Sequence, residues 1–355
     1  MSVARLRVAL IGYGGAGRVF HAPLIRHTAG LELALVASSR GDELARALPG
    51  VEVVATPQHA LSRDDIDLVV IASPNPTHAA LAEAALRAGR HVVVDKPFTL
   101  TLAEARGLAR LAAQRDRVLA VFHNRRWDND FLALREVLAS GQIGRLTWLE
   151  SRFDRFRPHV QDRWRERADD GGGIWLDLGP HLVDQALQLF GLPARVGGRL
   201  SRQRDGAAAD DGCEAWLDYE GLRVSLSASM LVGGGLPRFA AHGTAGSWIR
   251  HGLDVQEDQL KAGLVPGDTE WGEDARPACL YRGDGEILDL PVPRGRYEAF
   301  YAAVRDAMLG CGANPVPPAQ AVATMAVLET VAEAARLGRM LPVPLDAAER
   351  TAFAG

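Results

Sequence analysis

A chain of 355 residues has room for two domains. Its 47% apolar and 24% charged residues are ordinary for a globular protein, and a net charge of −4 gives no general attraction to nucleic acid or to an anionic membrane. No apolar stretch reaches the roughly 18 residues of a membrane span. No secretory leader precedes the first apolar run, and Cys213, Cys279 and Cys311 are scattered, so a cytoplasmic protein with neither nucleic acid nor membrane as a partner is expected.

The first third of the chain alternates strand-like and helix-like segments. Short apolar runs occupy residues 7–11, 31–37, 51–55, 68–72, 91–94 and 118–122. Ala-, Leu- and Arg-rich stretches with helical spacing, such as 77–88 and 102–114, lie between them. Fully apolar strands separated by helices predict an α/β domain, a doubly wound parallel sheet covered on both faces. Thr101 and Glu104 form a capping-box pair that predicts a helix start.

Beyond His123 the pattern changes to alternating strands over 144–154, 195–201, 214–219 and 222–230, with a hairpin turn at Tyr219-Glu220-Gly221-Leu222. A helix is expected over 173–190, terminal helices over 297–309 and 318–337, and a last edge strand over 340–345. Residues 252–277, rich in Gly, Asp and Glu, read as loop. The expected division is a nucleotide-binding domain over 1–123 and an α+β domain with a mostly antiparallel sheet over 124–355.

Gly12-Tyr13-Gly14-Gly15-Ala16-Gly17 follows the first run and opens a helix. Gly12 allows a tight turn, Gly14 lets backbone approach a pyrophosphate, and Gly17 permits close helix–strand packing. The second run ends Ser38-Ser39-Arg40, without the acid that accepts ribose hydroxyls in NAD enzymes. Ser38 and Arg40 suit a 2′-phosphate better, which favours NADP. The alternative is NAD, with Arg40 a solvated loop residue and Asp42 on the ribose. Ser73, Asn75 and His78, after the fourth run, can face the ribose and nicotinamide or can simply start a helix.

Lys96 ends the fifth run, where open parallel sheets bind ligands. Asp177 and His181 are four residues apart behind three glycines and share one helical face. They can be a structural pair or proton-transfer groups. No third ligand lies nearby in sequence, so no metal is expected. Residues 123–167 carry ten arginines together with Trp127, Trp148 and Trp164. These form either a salt-bridged surface or a polar, aromatic-walled pocket, and Asn124, Arg125, Trp127 and Arg155 are its candidate substrate contacts.

Several of these stretches, taken together, resemble the Gfo/Idh/MocA oxidoreductases over nearly the whole chain. They are Gly12-Tyr13-Gly14 with Gly17-Arg18-Val19-Phe20-His21-Ala22-Pro23, the run from Val121 to Asp128, Phe153 to Pro158, Gly171 to His181, Pro237-Arg238-Phe239 and Gly252 to Glu257. Within that family the chain is most similar to the branch containing NADP-dependent scyllo-inositol dehydrogenases. The resemblance implies a Rossmann domain, a large open sheet domain, and homodimers or homotetramers joined through sheet faces. It places the family's Glu-Lys-Pro motif on Asp95-Lys96-Pro97, with Asp95 one methylene shorter than the usual glutamate, so Asp95 and Lys96 are also cofactor candidates. It carries the catalytic roles to Lys96, Asp177 and His181, acting on a sugar or cyclitol hydroxyl or ketone. Two rivals share the scaffold: a redox-assisted glycosidase and a catalytically idle cofactor-binding regulator.

Overall fold

The computed structural model describes residues 5–163, 166–167 and 171–354. Trp164 and Arg165 of the arginine-rich stretch, and the side chain of Asp42, lie outside what is described. The chain forms two compact units. The first comprises Met1–Asn124, Gln256–Trp271 and Arg296–Val322, and the second Arg125–Val255, Gly272–Gly295 and Ala323–Gly355. Segments far in sequence from the 123/124 position therefore belong with the nucleotide-binding residues.

The sheet of the first unit contains β1 (Leu6–Ile11), β2 (Leu31–Ala37), β3 (Glu52–Val54), β4 (Leu68–Ile71), β5 (His91–Val94) and β6 (Leu119–Val121), in the order β3-β2-β1-β4-β5-β6. Every neighbouring pair is parallel. Val, Ile, Leu and Ala fill the central strands because both faces are buried. The intervening helices are α1 (Ala22–Arg26), α2 (Gly41–Ala47), α3 (Pro57–Leu61), α4 (His78–Arg87) and α5 (Leu102–Arg115). At the start of α5 the expected capping box is formed: Thr101 Oγ1 accepts the Glu104 N–H at 3.2 Å and Glu104 Oε2 accepts the Thr101 N–H at 3.0 Å. The strand order reverses between β1 and β4, the position where such sheets open a crevice for ligands.

The second unit carries α6 (Asn129–Ser140), α7 (Ile174–Phe190) and, among the described residues, a nine-stranded sheet. Its strands are β7 (Leu146–Arg152), β8 (Arg195–Ser201), β9 (Gly212–Tyr219), β10 (Leu222–Ser229), β11 (Phe239–Gly243), β12 (Gly246–Arg250), β13 (Ala278–Arg282), β14 (Ile287–Leu290) and β15 (Leu341–Pro342). Their order is β14-β13-β12-β11-β7-β10-β9-β8-β15, antiparallel throughout except for the β7–β10 pair. The β9–β10 hairpin turns at Gly221, whose φ of 70° suits glycine. Only Leu341–Pro342 of the expected last strand is paired, at the sheet edge beside β8.

The loop expected over 252–277 is corrected by a helix, α8 (Gln256–Ala262). Its acids stand in the first turn, Leu260 is buried, and Lys261 reaches Glu257 at 2.8 Å one turn back. Seven residues are too few for a clear apolar period. The remaining helices are α9 (Glu298–Met308), α10 (Pro318–Leu337) and α11 (Ala347–Ala354). No helix among the described residues is long and apolar enough to cross a membrane.

Candidate active site

Two groups of residues carry the candidate chemistry, one in each unit. In the first, Gly12 ends β1 with φ 95°, and a Cβ there would sit 2.6 Å from the Ala72 carbonyl oxygen. A Cβ on Gly17 would sit 2.2 Å from the Gly12 carbonyl oxygen. Both positions admit only glycine. Gly14 has no heavy atom within 4 Å of its Cβ position, so its backbone is open to a ligand. Gly12, Gly14, Ser38, Arg40 and Ser73 line one cleft of about 610 Å³. Ser38 Oγ accepts the backbone N–H of Arg40 at 3.3 Å, and the Arg40 guanidinium donates to the Tyr13 carbonyl in the glycine turn. Free backbone N–H groups, hydroxyls and a guanidinium are donors for phosphate oxygens. The donor set therefore fits a dinucleotide.

Asn75 starts a single 3-10 turn, Asn75–Thr77, that leads into α4 and is buried. His78, also buried, has Nδ1 at 2.9 Å from the Pro97 carbonyl and Nε2 at 2.9 Å from the Ser73 carbonyl. Its ring ties together the loops that follow β4 and β5, so its visible contacts are with the frame around the cofactor loops. Lys96 stands half-buried just past β5. Beside it the buried Asp95 accepts the Lys96 backbone N–H on Oδ1 at 2.8 Å. Burial alone would raise the Asp95 carboxyl. The His21 imidazole, with the charges of Lys96 and His78, outweighs burial and holds it below the usual carboxylate range.

In the second unit α7 presents Asp177 and His181 on one face, Asp177 half-buried and His181 buried. The helix begins at Gly173, where φ is 100° and a Cβ would lie 2.2 Å from Asp210 Oδ1. Arg155 Nη1 approaches Asp177 Oδ2 to 3.7 Å. The guanidinium carbons of Arg125, Arg155 and Arg238 lie 4.6, 5.3 and 5.5 Å from the centre of the buried Phe153 ring. Arg125 also pairs with Asp128 at 3.3 Å. Asn124, the last residue of the first unit's opening segment, is buried, and Trp127 in the same turn, Asn124–Trp127, is half-buried.

Other residues of this region were not among the candidate site residues, although Arg126 and Arg238 stood in the motifs that carry the family resemblance. Arg126 grips Asp184 through two bonds of 2.9 and 2.6 Å. Arg238 donates to Gln185 Oε1 at 2.6 Å and to Ser151 Oγ at 2.8 Å, while Gln185 Nε2 donates to the Arg125 carbonyl at 2.8 Å. The available signal was Asp184 and Gln185 themselves, polar residues within an apolar helix and one turn beyond His181. Among the described residues no cluster of three His, Cys, Asp or Glu is placed to hold a metal ion.

Both parts of the chain match known proteins. Residues 6–123 match the oxidoreductase family model with an NAD-binding Rossmann fold, and residues 131–249 match the GFO/IDH/MocA C-terminal domain. The chain belongs to the Gfo/Idh/MocA family of oxidoreductases. Similar family members include the uncharacterized oxidoreductase YdgJ of Escherichia coli, 49% identical over 93% of this chain and 96% of that protein. Another is IolW of Bacillus subtilis, a scyllo-inositol 2-dehydrogenase (NADP(+)), 33% identical over 96% of both chains. Among solved structures, an oxidoreductase from Klebsiella pneumoniae superposes with a TM-score of 0.93 at 49% identity, covering 98% of each chain. This Gfo/Idh/MocA member is thus an NAD(P)-binding oxidoreductase whose parallel and mixed sheets are those of its family.

Proposed function

We propose that the protein catalyses NADP-dependent hydride transfer at a ring carbon of a cyclitol or sugar, with scyllo-inositol and its ketone the favoured pair. The observation that most supports this is the presence of Lys96, Asp177 and His181 in a chain similar over 96% of its length to an enzyme of that activity. Ser38 and Arg40 in the glycine cleft support NADP over NAD. The nicotinamide, when bound, supplies the redox chemistry.

In this reading His181 takes the hydroxyl proton during oxidation and returns it during reduction, a task suited to an imidazole near neutral pH. Lys96 hydrogen-bonds the reacting oxygen and stabilises alkoxide character as it develops. Asp177 orients the polyol, with Arg155 holding the carboxylate. Asn124, Arg125 and Trp127 contact the remaining hydroxyls.

The test is a panel of inositols, inososes and aldoses offered with NADP and NAD, followed by absorbance of the reduced cofactor. Turnover strongest with a cyclitol and NADP is expected. Glycoside cleavage without net change in NADPH would replace this reading with the redox-assisted glycosidase, and no turnover on any substrate would overturn it.

A cytoplasmic homodimer or homotetramer completes the proposal. Its support is the sheet of the second unit, where Trp216, Tyr281 and Ile287 share one face by strand register and are 42%, 39% and 61% exposed. Light scattering should give a multiple of the 38.2 kDa chain mass, and a monomer would sink the assignment.

A further inference from the structure

The buried His21 has no part in the reaction described above, yet it stands between Tyr301 and Asp95, the residue next to Lys96. Its Nδ1 lies 2.6 Å from the Tyr301 hydroxyl, and its Nε2 lies 3.9 Å from Asp95 Oδ2. The imidazole is 0% exposed, and the Phe122 ring packs on it at 4.4 Å between centres. His21 closes a π-helical turn, Gly17–His21, that follows directly from the glycine fingerprint. Such turns recur at functional sites.

The chemistry of this chain selects one arrangement of protons. Burial, and then the charge of Asp95, push the Tyr301 phenol well above its ordinary range, so it keeps its proton. A phenol O–H that donates to Nδ1 leaves the neutral imidazole with its proton on Nε2, facing the carboxylate. The opposite tautomer would turn a lone pair toward that anion. The other Asp95 oxygen already holds the Lys96 backbone N–H. One oxygen of the short aspartate thus holds the lysine's own backbone, while the other faces the imidazole N–H across 3.9 Å.

We propose that His21 is a positioning residue for Lys96, acting through Asp95. Tyr301 aligns the imidazole, whose N–H edge faces the carboxylate across 3.9 Å, and the carboxylate ties down the backbone from which Lys96 projects. This rests on Lys96 acting in the hydride-transfer reading, but its tests separate from that reading.

The first test needs no substrate. In protein with 15N-labelled histidine at pH 8, the His21 signal, identified by its loss in His21→Gln, should report the Nε2–H tautomer. The Nδ1–H form would overturn the proposal. The rate at which acetic anhydride labels Lys96, read by peptide mass spectrometry, should change by at least about threefold in His21→Phe, because the Asp95 carboxylate beside the amine is no longer held in the same place. An unchanged rate would also overturn it.

The kinetic test uses His21→Phe, Asp95→Asn and the double variant. His21→Phe should lower kcat about tenfold with KM for the polyol within about twofold, as expected when a catalytic group is misplaced. The double variant should be no slower than Asp95→Asn alone. Losses that multiply, or near wild-type kcat in His21→Phe, would remove the link. If His21→Phe does not fold, Tyr301→Phe, which frees the imidazole to turn, should lower kcat and change Lys96 labelling in the same direction, and no change in either would overturn the proposal. A wild type that turns over no polyol would instead defeat the dehydrogenase reading, leaving the tautomer and labelling outcomes to decide the role of His21.

Discussion

Asp210 caps the helix that carries Asp177 and His181: its Oδ2 accepts the Trp175 N–H at 2.8 Å, and its backbone carbonyl accepts the Ile174 N–H at 2.8 Å. Loss of a side-chain cap costs about 1 kcal/mol. Asp210→Ala is expected to lose about that much stability by urea denaturation, and to lower kcat because the first turn of α7 loosens. Gly173→Ala should cost more, on the order of 1–3 kcal/mol, since it combines a disfavoured φ with a clash against the same carboxylate. Equal stability of wild type and Asp210→Ala would show that the cap is not limiting.

Lys96→Ala should leave the dissociation constant for NADPH nearly unchanged and slow turnover about 100- to 1000-fold, by analogy with loss of an oxyanion donor. The glycine cleft holds the phosphate donors, and Lys96 is not among its lining residues. Turnover close to wild type would take Lys96 out of the mechanism. His181→Ala should lower turnover as well and flatten the pH–rate profile near neutrality. An unaltered profile would assign the proton to another group.

For Arg40→Ala the expected cost falls on one cofactor. A charge-assisted bond to a 2′-phosphate is worth roughly 1.5–3 kcal/mol, and NADH has no such phosphate. Dissociation constants for NADPH and NADH should be compared at one ionic strength, because exposed charge contacts are screened by salt. Equal weakening of both, or a wild-type preference for NAD, would make Arg40 a brace for the Tyr13 carbonyl and nothing more.

Asp274 gives a pH prediction. Burial would raise its carboxyl, but hydrogen bonds from Arg276 at 2.8 and 2.7 Å, with the charges of Arg250 and Arg276, hold it at about 2. A folded-state value below the unfolded one stabilises fully above the unfolded value, near about 4, and this contribution disappears as pH falls through the folded value. The stability gap between wild type and Asp274→Asn should therefore narrow by on the order of 1–2 kcal/mol between about pH 5 and pH 2. Urea titrations across that range would show it, and a constant gap would exclude the carboxylate as the cause.

The six parallel strands were readable because strands covered on both faces need nothing but apolar residues. Strands β11 to β14 were missed for the opposite reason. Phe239–Gly243 and Gly246–Arg250 mix glycine, histidine and arginine into short runs. Arg250 is fully buried, and only its partners Asp274 and the carbonyls of Arg276 and Pro277 make that tolerable. Nothing local announces such partners. The glycine cleft was legible at Gly12 and Gly17, where a single added carbon collides with backbone. The His21–Tyr301 contact was not, because it joins positions 280 residues apart. His78 shows a third case: its position in the turn was visible, but its hold on two backbone carbonyls depends on where the β5 loop comes to rest.

The first unit draws its aromatic core from both ends of the chain. Phe20 and Phe122 pack against Tyr297, Phe300 and Tyr301, with ring centres between 5.0 and 6.3 Å apart. A fragment ending at Asn124 would retain every residue of the glycine cleft and still leave those rings facing water. Cofactor affinity should therefore not be portable by transplanting the amino-terminal third alone. Recombination between relatives, in the laboratory or in evolution, would have to carry the α9 segment along with the fingerprint for the nucleotide half to stay soluble.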